Sequence, residues 1–373
     1  MNRFYRSKRR FLAGLLVCAF CWSFGLVVPA ASRADITEAC NTGLQLSLED
    51  AVNLALKHSY ALKIAEYNVE QSENARNDAA SQVDFTPLSG GNEEATRDFL
   101  KLVQSDINWS MSKKNLEIEK DSLVLGVYQR YLDVLTAQEK VKSAEAALEL
   151  ANYRQLAAQA GLLAGTVSRK SFEAAAVSYR NQVSGLAQSR AALEQSYIKL
   201  NEFLGISGRE RPLLTGDVEY SPLEITDLEL EITRRLDSSP ALWKAEQEVR
   251  LAELSLDLHT YTNIYNYNST KLNINKAELS AEQAKEQARQ NMRTMYDNIY
   301  SLQEQYNQQQ QALRLAESDL ESARLKYDMG LIPKGEFLTI EADLAVKRQE
   351  LKSLVYQHHI LKLNFEKPWA SRN

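Results

Sequence analysis

The stretch NMRTMYDNIYSLQEQYNQQQQALRLAESDLESARLKYDMGLIPKG, residues 291–335, places an apolar side chain at every seventh position. Met292, Ile299, Tyr306, Leu313, Leu320 and Tyr327 form one row, while Ala288, Met295, Leu302, Ala316 and Ala323 keep the same step in a second. Two such rows are the a/d seam of a helix that packs lengthwise on another helix. Followed back to about Asn273, the run makes a rod of roughly 85 Å, and its other faces are too polar for the inside of a compact domain. After the break Gly330-Leu-Ile-Pro-Lys-Gly335, the residues Phe337, Leu344, Leu351, His358 and Phe365 resume the seven-residue step. Two antiparallel helices are therefore expected to meet at a Gly-Pro-Gly tip.

The first half of the chain carries the same pattern. Val127, Val134, Val141 and Leu148 are in step, with Ala137, Ala144 and Ala151 three residues after the last three of them and Ala158 one step further on; Gly161 to Gly165 ends that helix, and Phe172, Tyr179, Leu186, Leu193 and Leu200 line the returning limb. Small residues in the second row let helix axes approach closely. Gly165 with Phe172 matches Gly330 with Phe337 at an offset of 165, whereas His58-Ser-Tyr-Ala-Leu62 matches Ser238-Ser-Pro-Ala-Leu242 at 180. The chain is thus an internal duplication, repeats of about 44–205 and 224–366 joined by a linker at 206–223. The fifteen-residue difference must fall between helix start and tip. There, residues 81–111 hold Pro87, Gly90 and Gly91 and an alternation of Ile107, Trp109 and Met111, which predicts a strand-like insert, and 259–275 predicts a shorter one. The expected fold class is mainly α: duplicated long antiparallel coiled-coil hairpins with short β-hairpin inserts.

Residues 1–34 combine Arg3, Arg6, Lys8, Arg9 and Arg10 with an apolar run from Phe11 to Val28 and a small-residue site at Ser32-Arg-Ala34, which reads as an export signal peptide. The mature part, 35–373, then has 38 Lys+Arg against 49 Asp+Glu, a net charge of −11 that disfavours nucleic acid. Only Cys40 of three cysteines remains, so no disulfide forms within the mature chain. His58, His259, His358 and His359 lack metal-ligand spacing, and there is no phosphate loop, nucleophile elbow or dinucleotide fingerprint. The reading is of a non-enzyme without cofactor or metal.

The opening Leu46-Ser-Leu-Glu-Asp-Ala-Val-Asn-Leu-Ala-Leu56, the closing Leu200-Asn-Glu-Phe-Leu-Gly205 and the tip Gly330-Leu331 with Glu336-Phe-Leu338, in that order within a duplicated frame, resemble the TolC-like outer-membrane efflux protein family. The resemblance implies a homotrimer in which each protomer gives four strands to a shared β-barrel and its helices to a long periplasmic α-barrel. It also implies a periplasmic adaptor and an inner-membrane pump as partners, with the duct itself passive. At the tips it points to Gly165, Arg324, Gly330, Leu331, Pro333 and Gly335 as adaptor-docking residues, and to Glu336, with Glu341 and Asp343 as further candidates, as an acidic ring constricting the pore. Trp109, Tyr261, Tyr265 and Tyr267 are candidates for an aromatic belt at a membrane interface. A membrane-crossing strand takes about 9 to 11 residues, more than each side of the second insert offers. The alternative is an exported structural or adaptor coiled-coil protein that spans no membrane.

Overall fold

The computed structural model describes residues 45–84, 93–258 and 264–371, with the backbone alone for 264–266. The export segment, Cys40, His259 and Tyr261 lie outside the described residues. The chain runs β1 (Gln45–Leu46), α1 (Leu48–His58), α2 (Tyr60–Ser81), α3 (Glu93–Leu163), α4 (Arg169–Leu204), β2 (Leu213–Leu214), α5 (Leu228–Asp237), α6 (Pro240–Asp257), α7 (Ile264–Asp328) and α8 (Lys334–Glu366). With 71 and 65 residues, α3 and α7 are about 100 Å long at about 1.5 Å per residue.

Local chemistry sets the starts. Ser47 caps α1 in a reciprocal box with Asp50, and Ser59 both ends α1 and caps α2 through the Leu62 N–H. Pro240 opens α6, where its missing N–H costs nothing. The seam residues are buried as their spacing requires: Val127, Val134, Met292 and Ile299 are all essentially closed to solvent.

The helices form a wall four columns wide. Along one side of α3 lie α2 and α4, end to end; along the other lie α6 and α8, which also pack on α7. Among the described residues, the column of α2 and α4 and the column of α7 are the two free edges. Two cores sit at the waist, where α1 and the linker cover α3 and α4, and α5 covers α6 and α7. They repeat the duplication: Val127, Tyr131, Val134 and Leu200 have Met292, Tyr296, Ile299 and Phe365 as counterparts. β1 pairs in parallel with β2, and the buried Tyr131 hydroxyl donates to the Leu46 carbonyl while accepting from the Gly216 N–H, which pins the linker to the helical wall.

The described parts of the expected strand-like inserts are largely helix, and residues 85–92 and 259–263 of them lie outside the described residues. Residues 93–111 are the first turns of α3, and 264–275 the first turns of α7. The alternation of Ile107, Trp109 and Met111 is real but spans too few residues to outweigh its setting. Ser72 and Ser112 hydroxyls lie 2.6 Å apart, Arg76 bonds Asp106 at 3.3 Å, and Lys101 reaches Gln82 at 2.9 Å, so α2 and α3 zip together as an antiparallel helical hairpin. The fifteen-residue difference between repeats does lie here, as the offsets require. It is divided among a longer α2, a longer α3 and a longer connection.

Candidate functional site

The two hairpin tips share one backbone design. Gly165 and Gly330 have φ of 72° and 73°, the left-handed region that glycine enters without strain. Past each, the chain turns back onto the helix: Thr166 N–H donates to Gly161 O at 2.8 Å, and Leu331 N–H to Lys326 O at 2.8 Å. Ser168 then caps α4 through its hydroxyl, and Pro333 occupies the equivalent place before α8. A Cβ on Gly165 or Gly330 would meet nothing, so these glycines serve the reversal and leave the surface open.

Gly335 serves a different need. A Cβ there would stand 2.9 Å from the ring of Tyr153, so its absence lets α8 close on α3, and Arg154 donates to Thr339 Oγ1 at 3.1 Å one turn on. Tyr327 stacks on Phe337 at 5.2 Å and braces the second tip. Leu331 and Met329 project from it, both largely exposed, and Arg324 and Pro333 are exposed beside them. The six docking candidates therefore fall at or next to the tips, four presented to solvent with Gly165 and one, Gly335, holding the hairpins together.

Of the acidic candidates, Glu336 and Asp343 share one face of α8 and line an open groove of about 370 Å³ between α7 and α8, with Asp319 and Lys326 opposite. Glu341 does not join them. It faces the groove between α3 and α8, near Glu145, Glu149 and Arg348. Glu336 sits in the first turn of α8, where the helix dipole favours its charge.

Of the aromatic-belt candidates, the side chains of Trp109 and Tyr267 are described. Trp109 lies in the α2–α3 seam with the Lys113 ammonium 3.5 Å above its ring, on a helix and not on a strand. Tyr267 is exposed on α7, and the Tyr265 side chain and Tyr261 fall outside the described residues.

The linker makes a clasp that spacing gives no sign of, because its partners are more than 80 residues apart in the chain. Asp217 pairs with Lys352 and accepts from the Tyr356 hydroxyl at 2.9 Å. Burial works to raise the Asp217 carboxyl, but these two partners and the Val218 N–H outweigh it and hold it below its ordinary value. Tyr220 stacks on Tyr306 at 3.6 Å and leans on His358, which is 2% exposed and within 3.3 Å of Gln303. Burial, then Lys362 and His359, push the His358 pKa down to about 4.

Among the described residues no helix is long and apolar enough to cross a membrane, and no group of His, Cys, Asp or Glu is arranged to hold a metal. No protein-family model matches the sequence, and no curated protein is similar to it. Solved structures are. CusC matches with a TM-score of 0.64 at 17% identity over 88% of this chain and 92% of its own. The CmeC outer membrane channel of Campylobacter jejuni matches with 0.61 at 12% over 87% and 85%, and the outer membrane protein VceC of Vibrio cholerae with 0.63 at 13% over 87% and 95%. A duplicated pair of helical hairpins laid side by side as a wall, with glycine-turned tips at one end, is thus the fold of the TolC-like outer-membrane channels.

Proposed function

We propose that three copies of this chain close head to tail into a helical tunnel that serves as the passive duct of an export assembly at the outer membrane. The observation that carries this is the distribution of exposed apolar side chains on the two free edges. Tyr60, Ile64 and Tyr67 stand on α2 at steps of four and three, and Leu272 and Leu279 on α7 at a step of seven, each more than half exposed. Val177 is half exposed on α4, and Tyr300, Leu315 and Leu325 are exposed further along α7. Regular apolar spacing on an outer face is costly in water and favours a partner helix. Because the two edges differ, joining them is a heterologous contact, which yields a ring when the rotation closes. The solved neighbour named as an outer membrane channel, CmeC, supports the reading of that ring as a duct.

Ile64→Lys on one edge and Leu279→Lys on the other should each convert the assembly to monomers in light scattering, with the helical circular-dichroism signal unchanged. An assembly that survives both substitutions would contradict the arrangement.

In this assembly the tips would receive the helical hairpin of a periplasmic adaptor, with Leu331 and Met329 as apolar anchors and Gly165, Arg324, Gly330 and Pro333 shaping the surface, and an inner-membrane pump would drive transport. Three copies of Glu336 would approach the axis at the closed mouth, where mutual repulsion makes closure sensitive to charge. Glu336→Cys should then form disulfide-linked dimers on mild oxidation of the assembled protein. If the cysteines are reactive yet no chains become linked, the acidic ring is not there.

A further inference from the structure

We propose that neighbouring copies meet through the same helix pairing that joins the two repeats inside one copy, and that this sets Arg293 on α7 against Glu194 on α4 of the next copy as an ion pair. The inference rests on the ring reading above and adds the register and the residues of its contact. Within the chain, the repeats are joined by α3 of the first, which packs on α6 and α8 of the second. Its contacts follow a seven-residue step along one stripe of α3. The Lys114 ammonium stands 5.1 Å from the ring centre of Trp243, Asp121 accepts from Trp369 Nε1 at 2.9 Å and pairs with Lys367, and Tyr128 stacks on His359 at 5.5 Å.

The duplication carries this stripe onto α7. An offset of 165 turns Lys114, Asp121 and Tyr128 into Leu279, Glu286 and Arg293, and the same offset turns His359 of α8 into Glu194 of α4. Leu279, Arg293 and Glu194 are all exposed. The returning helices differ in the same way: Ala342, which lines the groove toward α3, is 8% exposed, whereas its counterpart Val177 is 50% exposed, as a face that awaits another helix should be. The offset of 180 that relates α6 to α2 sets Leu279 at Lys63, beside Ile64, so the apolar residues of the two edges fall on one another. Charge agrees with the register. Arg293 is paired with Glu229 of α5 at 2.9 Å, and Glu194 with Arg211 of the linker. Joined here, Glu229, Arg293, Glu194 and Arg211 form a line of alternating sign, and each inner charge gains a second opposite neighbour while keeping its first. A slip of one heptad would instead set Glu194 against Glu286, a like charge, or against Tyr300.

Two measurements on the full chain test this. With Cys18, Cys21 and Cys40 replaced by serine, Arg293→Cys together with Glu194→Cys should be joined between chains by a short bis-maleimide, giving linked dimers and trimers on a denaturing gel. Asn307→Cys together with Glu194→Cys, two heptads or about 21 Å out of register, should not be joined. Particles of three chains that link only the second pair, or that link neither although the cysteines react with a monofunctional maleimide, would overturn the register and leave the ring standing. A particle of one chain would remove the ring and the register together. In a dilution series followed by native mass, Arg293→Gln and Glu194→Gln should each raise the concentration needed for assembly by about two- to fivefold, the range for one exposed ion pair, and the double variant should raise it no further. Shifts that multiply in the double variant would show that the two side chains act apart and would equally overturn the pairing.

Discussion

Replacing Phe365 with alanine should lower the unfolding free energy by about 3–5 kcal/mol, the range for removing a large aromatic side chain from a packed core. Phe365 is fully buried at the end of α8, among Ile232, Leu236, Met292 and Ile299, with the ring of Tyr296 at 6.4 Å. No other large side chain of the returning helix fills that place, so the space would remain as a cavity. Urea unfolding followed by circular dichroism would measure the loss as a lower midpoint at unchanged slope. The duplication sharpens the prediction. Leu200 occupies the matching position in the first core and is equally buried, so Leu200→Ala should cost about 2–5 kcal/mol by the same mechanism. A wild-type midpoint for either variant would show that the waist is not packed as described.

Acid should weaken the protein through His358. Its folded pKa of about 4 lies below the ordinary 6.5 because burial opposes the charged ring, with Lys362 and His359 adding repulsion. Gln303 and Tyr220 face it from other elements, and no carboxylate is among the groups that act on its charge. The unfolded chain therefore binds a proton first as the pH falls. Stability is retained above about pH 6.5, declines between there and about pH 4, and levels off below, with a total loss of about 3 kcal/mol from this residue. His359, stacked on Tyr128 and likewise pushed down by burial, acts in the same direction. His358→Gln keeps an amide opposite Gln303 and removes the titration, so its urea midpoint should vary less between pH 7 and 4 than that of the wild type. Equal slopes for the two proteins would locate the acid sensitivity elsewhere.

The long helices were legible because a seven-residue apolar step sustained over many turns has few other meanings. The tips were legible because glycine at matching places in two repeats marks a reversal. The insert misled because Ile107, Trp109 and Met111 alternate over five residues, too short a run to distinguish a strand from a helix whose other contacts come from α2. What favours helix there is tertiary: Arg76 and Ser72 are 30 and 40 residues from their partners. The same limit hid the clasp of Asp217 with Lys352 and Tyr356. Among the site residues, the family resemblance grouped Glu336, Glu341 and Asp343 together, and only the rotation of α8 against α3 and α7 separates Glu341 from the other two.

These points converge on the wall with two unlike edges. A single copy leaves the apolar rows on α2 and α7 in water, and the proposed ring of three copies, twelve helical columns, would bring these two edges together. Native mass determination of the protein taken gently from its envelope tests this most directly. The account predicts a particle of three chains, with no monomer at working concentrations. A stable monomer with intact helices would contradict it.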